Sequence, residues 1–365
     1  MKRKILTVVG ARPQFIKAGV VSRVIKNKFF NQMEEVLIHT GQHYDENMSD
    51  IFFRQLDLPQ PKVNLEVGAG GHGEQTGRML LLLEQVLIQE RPDMVVVYGD
   101  TNSTLAGALA AVKIHLPVAH VEAGLRSWNR KMPEEINRVM VDHISSLLLC
   151  PSDVAINNLK NEGILNGVIK TGDVMHDSAL YCSKKAEQEK ENFNQFCKEY
   201  KISHGKYFLA TVHRAENTDQ IENLKQIVSS FEKLPQKVVW PVHPRTHKMM
   251  EDNKIVCGNN VILTAPFSYL DMILFLKNAT MVLTDSGGVQ KEAMFFETPC
   301  VTLRSETEWT ETLDSGWNLL SGIDSNQIMQ TVETHSQTPK KDPEQIYGTG
   351  QSADKVITAI LSYFN

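Results

Sequence analysis

Ser286, Gly287 and Gly288 follow a short apolar run, Met281-Val282-Leu283, and precede a helical pattern from Val289 to Phe296. A strand, a turn without side-chain bulk and a helix start together make an anion site. The first helical N–H groups are unpaired there, and the helix dipole adds positive charge. Glu292 falls one turn further in, where a carboxylate can take the two hydroxyls of a ribose. The pattern points to a nucleoside diphosphate; a tight turn with nothing bound is the plain alternative. Arg12 and Lys17 follow another apolar run, Ile5 to Val9, and sit at or just after Gly10-Ala11-Arg12-Pro13. Two cations at a strand-to-helix junction also suit a diphosphate. The glycine spacing is not that of a dinucleotide fingerprint.

A second set of groups could move protons. Asp100 and Glu122 each directly follow a strand-like run, where a carboxylate is poorly placed to pack. Glu134 opens the helical segment Pro133-Glu134-Glu135-Ile136-Asn137-Arg138. Pro then Glu is also an ordinary helix start, so Glu134 and still more Glu135 have a structural alternative. Three carboxylates can supply an acid/base pair and an electrostatic stabiliser, provided their surroundings separate their pKa values. His213 ends another apolar run and is followed by Arg214, Glu216 and Asn217; His243 occupies a similar place. None of the histidines forms the helical pair of a zinc site, so no catalytic metal is expected.

These groups need elements to hold them. Apolar runs alternate with amphipathic segments from Ile5 to Cys150, which predicts a parallel sheet covered on both faces. A polar helix is expected over 183–200 before the alternation restarts at Tyr207 and runs through Val238–Trp240, Val261–Leu263, Met281–Leu283 and Cys300–Thr302. The fold class is α/β, with two Rossmann-like domains facing across a cleft. The expected divisions are residues 1–172, 173–350 and a C-terminal helix, 351–365, packing back on the first domain. The polar clusters fall where strands end, which is where open parallel sheets bind ligands.

With 38 basic and 43 acidic residues, the formal net charge of −5 argues against general nucleic-acid affinity. The five cysteines are scattered and form neither a zinc motif nor a disulfide framework. No apolar run resembles a signal peptide or spans a bilayer, so a cytoplasmic protein without membrane attachment is expected.

The motifs resemble those of the non-hydrolysing UDP-N-acetylglucosamine 2-epimerases, which have a glycosyltransferase-B-like fold. The likeness runs over nearly the whole chain. It is carried by Gly10-Ala-Arg-Pro-Gln-Phe-Ile-Lys17, Thr40-Gly-Gln-His43, Tyr98-Gly-Asp-Thr101, Val121-Glu-Ala-Gly-Leu-Arg126, Pro133-Glu-Glu-Ile-Asn-Arg138, His213-Arg-Ala-Glu-Asn217 and Thr284-Asp-Ser-Gly-Gly-Val-Gln290. The resemblance implies catalytic roles for Asp100, Glu122, Glu134 and His213. It implies UDP contacts from Arg12, Lys17, Ser286, Gly287, Gly288 and Glu292, with Arg126, Arg138 and Arg214 as further substrate-binding cations. It also implies a homodimer and no cofactor.

The implied reaction inverts C2 of a UDP-2-acetamido sugar, UDP-N-acetylglucosamine to UDP-N-acetylmannosamine. The C2 hydrogen has no neighbouring carbonyl, so UDP leaves C1 as a base takes that proton. UDP then adds back to the 2-acetamidoglucal intermediate. Some features differ from the best-known bacterial members. Thr307-Glu-Trp-Thr-Glu311 replaces their Thr-Glu-Arg-Pro-Glu, putting Trp309 where an Arg approaches the nucleotide. Glu74 and Asp45 replace residues through which a second UDP-sugar acts as activator in some of them. The cationic segment Arg126 to Lys131 resembles the branch acting on UDP-2,3-diacetamido-2,3-dideoxyglucuronate, an alternative substrate. A glycosyltransferase of the same fold is the alternative of another class, but the trio Asp100, Glu122 and Glu134 counts against it.

Overall fold

The computed structural model describes residues 2–42, 58–335 and 337–365. The chain divides into two compact units. The first comprises Met1–Ser178 and Ile346–Asn365, and the second Ala179–Gln345. His43 and Asp45 lie outside the described residues.

The first unit is built on a seven-stranded parallel sheet in the order β3-β2-β1-β4-β5-β6-β7. Its strands are β1 (Arg3–Val9), β2 (Met33–His39), β3 (Val63–Asn64), β4 (Met94–Tyr98), β5 (Val118–Val121), β6 (Leu147–Cys150) and β7 (Val168–Lys170). Central strands such as Met94–Tyr98 are apolar throughout because helices cover both faces. Leu6, Val8, Val95 and Val97 meet Met79, Leu83, Ala106 and Ala110 in the core. The helix Asn102–Lys113 approaches so closely at Gly107 that a Cβ there would stand 3.2 Å from Val8 and from Val97. The C-terminal helix Ser352–Tyr363 belongs to this unit and packs on the helix Arg12–Val24. An ion pair, Lys28 to Asp354 at 2.5 Å, joins the two ends of the chain.

The second unit holds a six-stranded parallel sheet in the order β10-β9-β8-β11-β12-β13. These strands are β8 (Tyr207–Thr211), β9 (Lys237–Pro241), β10 (Val261–Thr264), β11 (Met281–Thr284), β12 (Cys300–Thr302) and β13 (Asn318–Leu320). Trp240 and Phe231 meet edge to face at 5.3 Å in its core. In both sheets the strand order reverses, between β1 and β4 and between β8 and β11. Such switch points leave a crevice at the carboxyl ends of the strands. The fold class read from the sequence is therefore the observed one, two Rossmann-like domains with the last helix on the first.

The single helix expected over 183–200 is two, Val174–Gln188 and Glu191–Glu199. Asp173 caps the first, its carboxylate accepting from the Met175 N–H at 2.8 Å. Met175, Ala179, Cys182 and Ala186 then line its buried stripe. Among the described residues, no helix is long and apolar enough to cross a membrane.

Candidate active site

In the first unit the switch point is braced by Gln14. Its amide oxygen accepts from the N–H groups of Gly10 (2.8 Å) and Ala11 (3.1 Å), and its NH2 donates to the Tyr98 carbonyl and Thr104 hydroxyl, both at 3.0 Å. The ends of β1 and β4 are thereby fixed to each other. Arg12 opens the helix with Pro13 beside it, where a missing N–H costs nothing. Lys17 lies one turn on and is buried. Its ammonium donates to the Glu122 carboxylate at 2.5 Å. Gly99, at φ +63°, leaves room for that pair: a Cβ there would stand 3.1 Å from Lys17 Nζ.

Glu122 reaches Lys17 from the left-handed region, φ +73°, a conformation that costs a residue with a side chain about 1–3 kcal/mol. Its N–H donates to the Leu149 carbonyl at 3.0 Å. Asp100 is partly exposed and ion-paired to Arg138. Arg138 also donates to Glu135 at 3.1 Å. Glu135 is fully buried and accepts from Ser127 N–H and Oγ and from Trp128 N–H at 2.9–3.0 Å. That makes it the loop-holding carboxylate of the pair. Glu134 is partly exposed and, among the described residues, has no hydrogen-bond or ion-pair partner.

A buried network lies behind these groups. Asp142 accepts from His120 Nδ1 at 2.7 Å, Arg126 at 2.6 Å and the Gly124 N–H at 3.1 Å. His120 Nε2 donates to the Gly99 carbonyl at 2.7 Å. Burial pushes the Asp142 carboxyl upward, but His120 and then Arg126 outweigh it and hold it below its ordinary range. Arg126 also forks onto Glu162 with two bonds of 2.7 Å. Its guanidinium is thus engaged within the unit, holding the turns that carry Asp100 and Glu122.

In the second unit the corresponding brace is Asp285, which is completely buried. It accepts from the N–H groups of His213 (3.0 Å) and Arg214 (2.9 Å) and from Asn217 Nδ2 (3.0 Å). Arg214 Nε donates back to the Asp285 carbonyl at 3.2 Å. The His213 ring is largely exposed, 3.9 Å from Asp285. His243 lies near enough for its charge to be felt: burial, then the His213 and Arg245 charges, lower the His243 pKa.

Ser286 caps the helix Gly287–Phe295. A side chain at Gly287 would collide with Glu308 and Trp309, whereas space beside Gly288 is open. Glu292 is buried one turn on and accepts from Tyr269 Oη at 2.9 Å. Glu308 pairs with Arg304 at 3.1 Å and lies 3.7 Å from Arg214. Burial would raise its pKa, but these guanidiniums hold it below the ordinary range. Gln14, His120, Asp142 and Asp285 are the groups sequence reasoning left without a role. A polar residue at the end of a buried strand was the available signal for Asp285.

Two sheets that each reverse strand order, one presenting a bulk-free helix start and the other carboxylates and buried cations, are the organisation of glycosyltransferase-B-like enzymes of nucleotide sugars. The family model for UDP-N-acetylglucosamine 2-epimerase matches residues 26–361, and the chain belongs to that family. It is 51% identical to a UDP-N-acetylglucosamine 2-epimerase homolog of Methanococcus maripaludis, over 98% of this chain and 99% of that one. It is 47% identical to the UDP-2,3-diacetamido-2,3-dideoxy-D-glucuronate 2-epimerase of Pseudomonas aeruginosa, over 97% and 98%. The crystal structure of Methanocaldococcus jannaschii UDP-GlcNAc 2-epimerase in complex with UDP-GlcNAc and UDP superposes with a TM-score of 0.87 at 43% identity, covering both chains fully. The protein is a UDP-sugar 2-epimerase, an isomerase.

Proposed function

We propose that the protein inverts C2 of UDP-N-acetylglucosamine without hydrolysing it, by eliminating UDP and adding it back to a 2-acetamidoglucal. The observation that carries this reading is the pairing of Lys17 with Glu122 beside Asp100 at the β1/β4 switch point. The Glu122 carboxylate, which accepts from the buried Lys17 ammonium at 2.5 Å, is the base that takes the C2 proton. Lys17 then faces both the base and the developing charge of the leaving diphosphate. Asp100, steadied by Arg138, and Glu134, which among the described residues has no internal partner, supply the proton exchange on the other face. The helix start at Ser286–Gly288, with Arg12 and Arg214, stabilises the departing pyrophosphate, since preorganised donors act where charge develops. Glu292 takes the ribose hydroxyls and His213 stands beside the diphosphate.

A second substrate reading has support of its own. Arg130 and Lys131 are exposed and, among the described residues, have no ion-pair partner. They precede Glu134 by a few residues, where the C6 carboxylate of a uronate would find a cation. The relative acting on such a uronate is 47% identical. An NMR assay offering both UDP-N-acetylglucosamine and UDP-2,3-diacetamido-2,3-dideoxyglucuronate decides between them. Inversion of the former alone is expected; inversion of the uronate alone transfers the assignment to it. We also propose a cytoplasmic homodimer, for which light scattering at twice the 41.1 kDa chain mass is the check.

A further inference from the structure

Trp309 is 94% buried by its 6% exposure, yet among the described residues nothing accepts its indole proton. Its Nε1 is not sealed in the core, as Trp240 Nε1 is. It lies 2.9 Å from the point where a Cβ on Gly287 would stand, so the indole edge is turned onto the first residue of the helix Gly287–Phe295. The ring is held there from several sides. The Lys291 ammonium, on the next turn of the same helix, sits 3.7 Å above the ring centroid. The Trp309 backbone N–H donates to Thr307 Oγ1 at 3.2 Å, and Thr307 Oγ1 donates in turn to Gln290 Oε1 at 2.6 Å. Space beside Gly288 is open. Among the described residues the indole N–H has no partner, and it shares the Gly287 position with the Glu308 carboxylate, whose Oε1 lies nearer still; the open space is at Gly288, where an anion would supply the missing acceptor.

We infer that the Trp309 indole N–H is a direct hydrogen-bond donor to the pyrophosphate of the nucleotide bound at Gly287–Gly288. The inference rests on the nucleotide reading of the second unit given above. The local charges suit a neutral donor. Arg304 pairs with Glu308 at 3.1 Å, while Arg214, 3.7 Å from the same carboxylate, is the cation proposed above for the pyrophosphate. Trp309 adds a directional bond to a phosphate oxygen without adding charge. It therefore sets a preference for a diphosphate over a nucleoside.

The test is calorimetric titration of the full chain with UDP and with uridine, for the wild type and Trp309→Phe. Phe keeps the apolar ring on which Lys291 rests and removes only the donor. UDP affinity should fall about tenfold, the size of a hydrogen bond to a charged group, with uridine affinity unchanged. Equal UDP affinity in both proteins overturns the inference while leaving the nucleotide reading intact. Failure of the wild type to bind UDP overturns that reading and the inference with it. A second measurement needs no variant: indole-15N labelling of the four tryptophans in the wild type. UDP, and not uridine, should move one indole N–H resonance downfield; four unmoved resonances overturn the inference.

Discussion

His213 and Glu292 both belong to the second unit and are held in different ways. The His213 backbone is fixed by Asp285 while its ring stays exposed, an arrangement that presents a side chain and does not pack it. Glu292 is buried and held by Tyr269, which preorganises an acceptor. His213→Ala should lower turnover by about a hundredfold or more, the usual size of a lost acid/base contribution, and leave UDP affinity near the wild type. Glu292→Ala should do the reverse, weakening UDP about tenfold or more as a charged hydrogen bond is lost. Steady-state kinetics and UDP titration of both variants read the crossed pattern; a parallel fall in both quantities would refute the division. At this scale the sequence disclosed residue types and strand ends. It could not disclose that Lys17 faces Glu122, because the two are 105 residues apart and meet only through the order of β1, β4 and β5.

Among the elements, the turns after β4 and β5 depend on one buried carboxylate. Asp142 holds His120, Arg126 and the Gly124 N–H, and His120 holds Gly99 next to Asp100. Asp142→Asn leaves the Arg126 guanidinium without one of its buried partners, which should destabilise the first unit by about 3–5 kcal/mol. Amide hydrogen exchange along β4 and β5 measures this locally, and unchanged protection would refute it. The pH dependence has a definite sign. The Asp142 carboxyl in the folded chain lies below its unfolded value, so its stabilisation is complete above the unfolded pKa. It fades as pH falls through the folded one. Protection of these amides should therefore decline below about pH 4 and not improve. The central strands were legible because they are continuously apolar. Val63–Asn64 and Val168–Lys170 were not, being two- and three-residue edge strands with partly exposed side chains. The polar helix was misread at its start because Asp173 was not recognised as a cap.

For the molecule as a whole, repetition of one sheet plan with different residues at its switch points accounts for the chemistry. One unit carries the carboxylates and Lys17, the other the helix start and Glu292. The alternation of strands and helices made two parallel sheets readable in advance, and the resemblance of the motifs to a known family made the family readable. The internal engagement of Arg126 was not readable, since an Arg before a helix looks the same whether it meets substrate or a buried Asp142 and Glu162. The most direct measurement is incubation with UDP-N-acetylglucosamine in D2O, without any acceptor, followed by NMR at C2. Inverted product carrying one solvent deuterium at C2, with the UDP-sugar recovered intact, is expected. Inverted product that retains its original hydrogen at C2, or accumulation of free sugar and UDP in place of an epimer, would contradict elimination and re-addition.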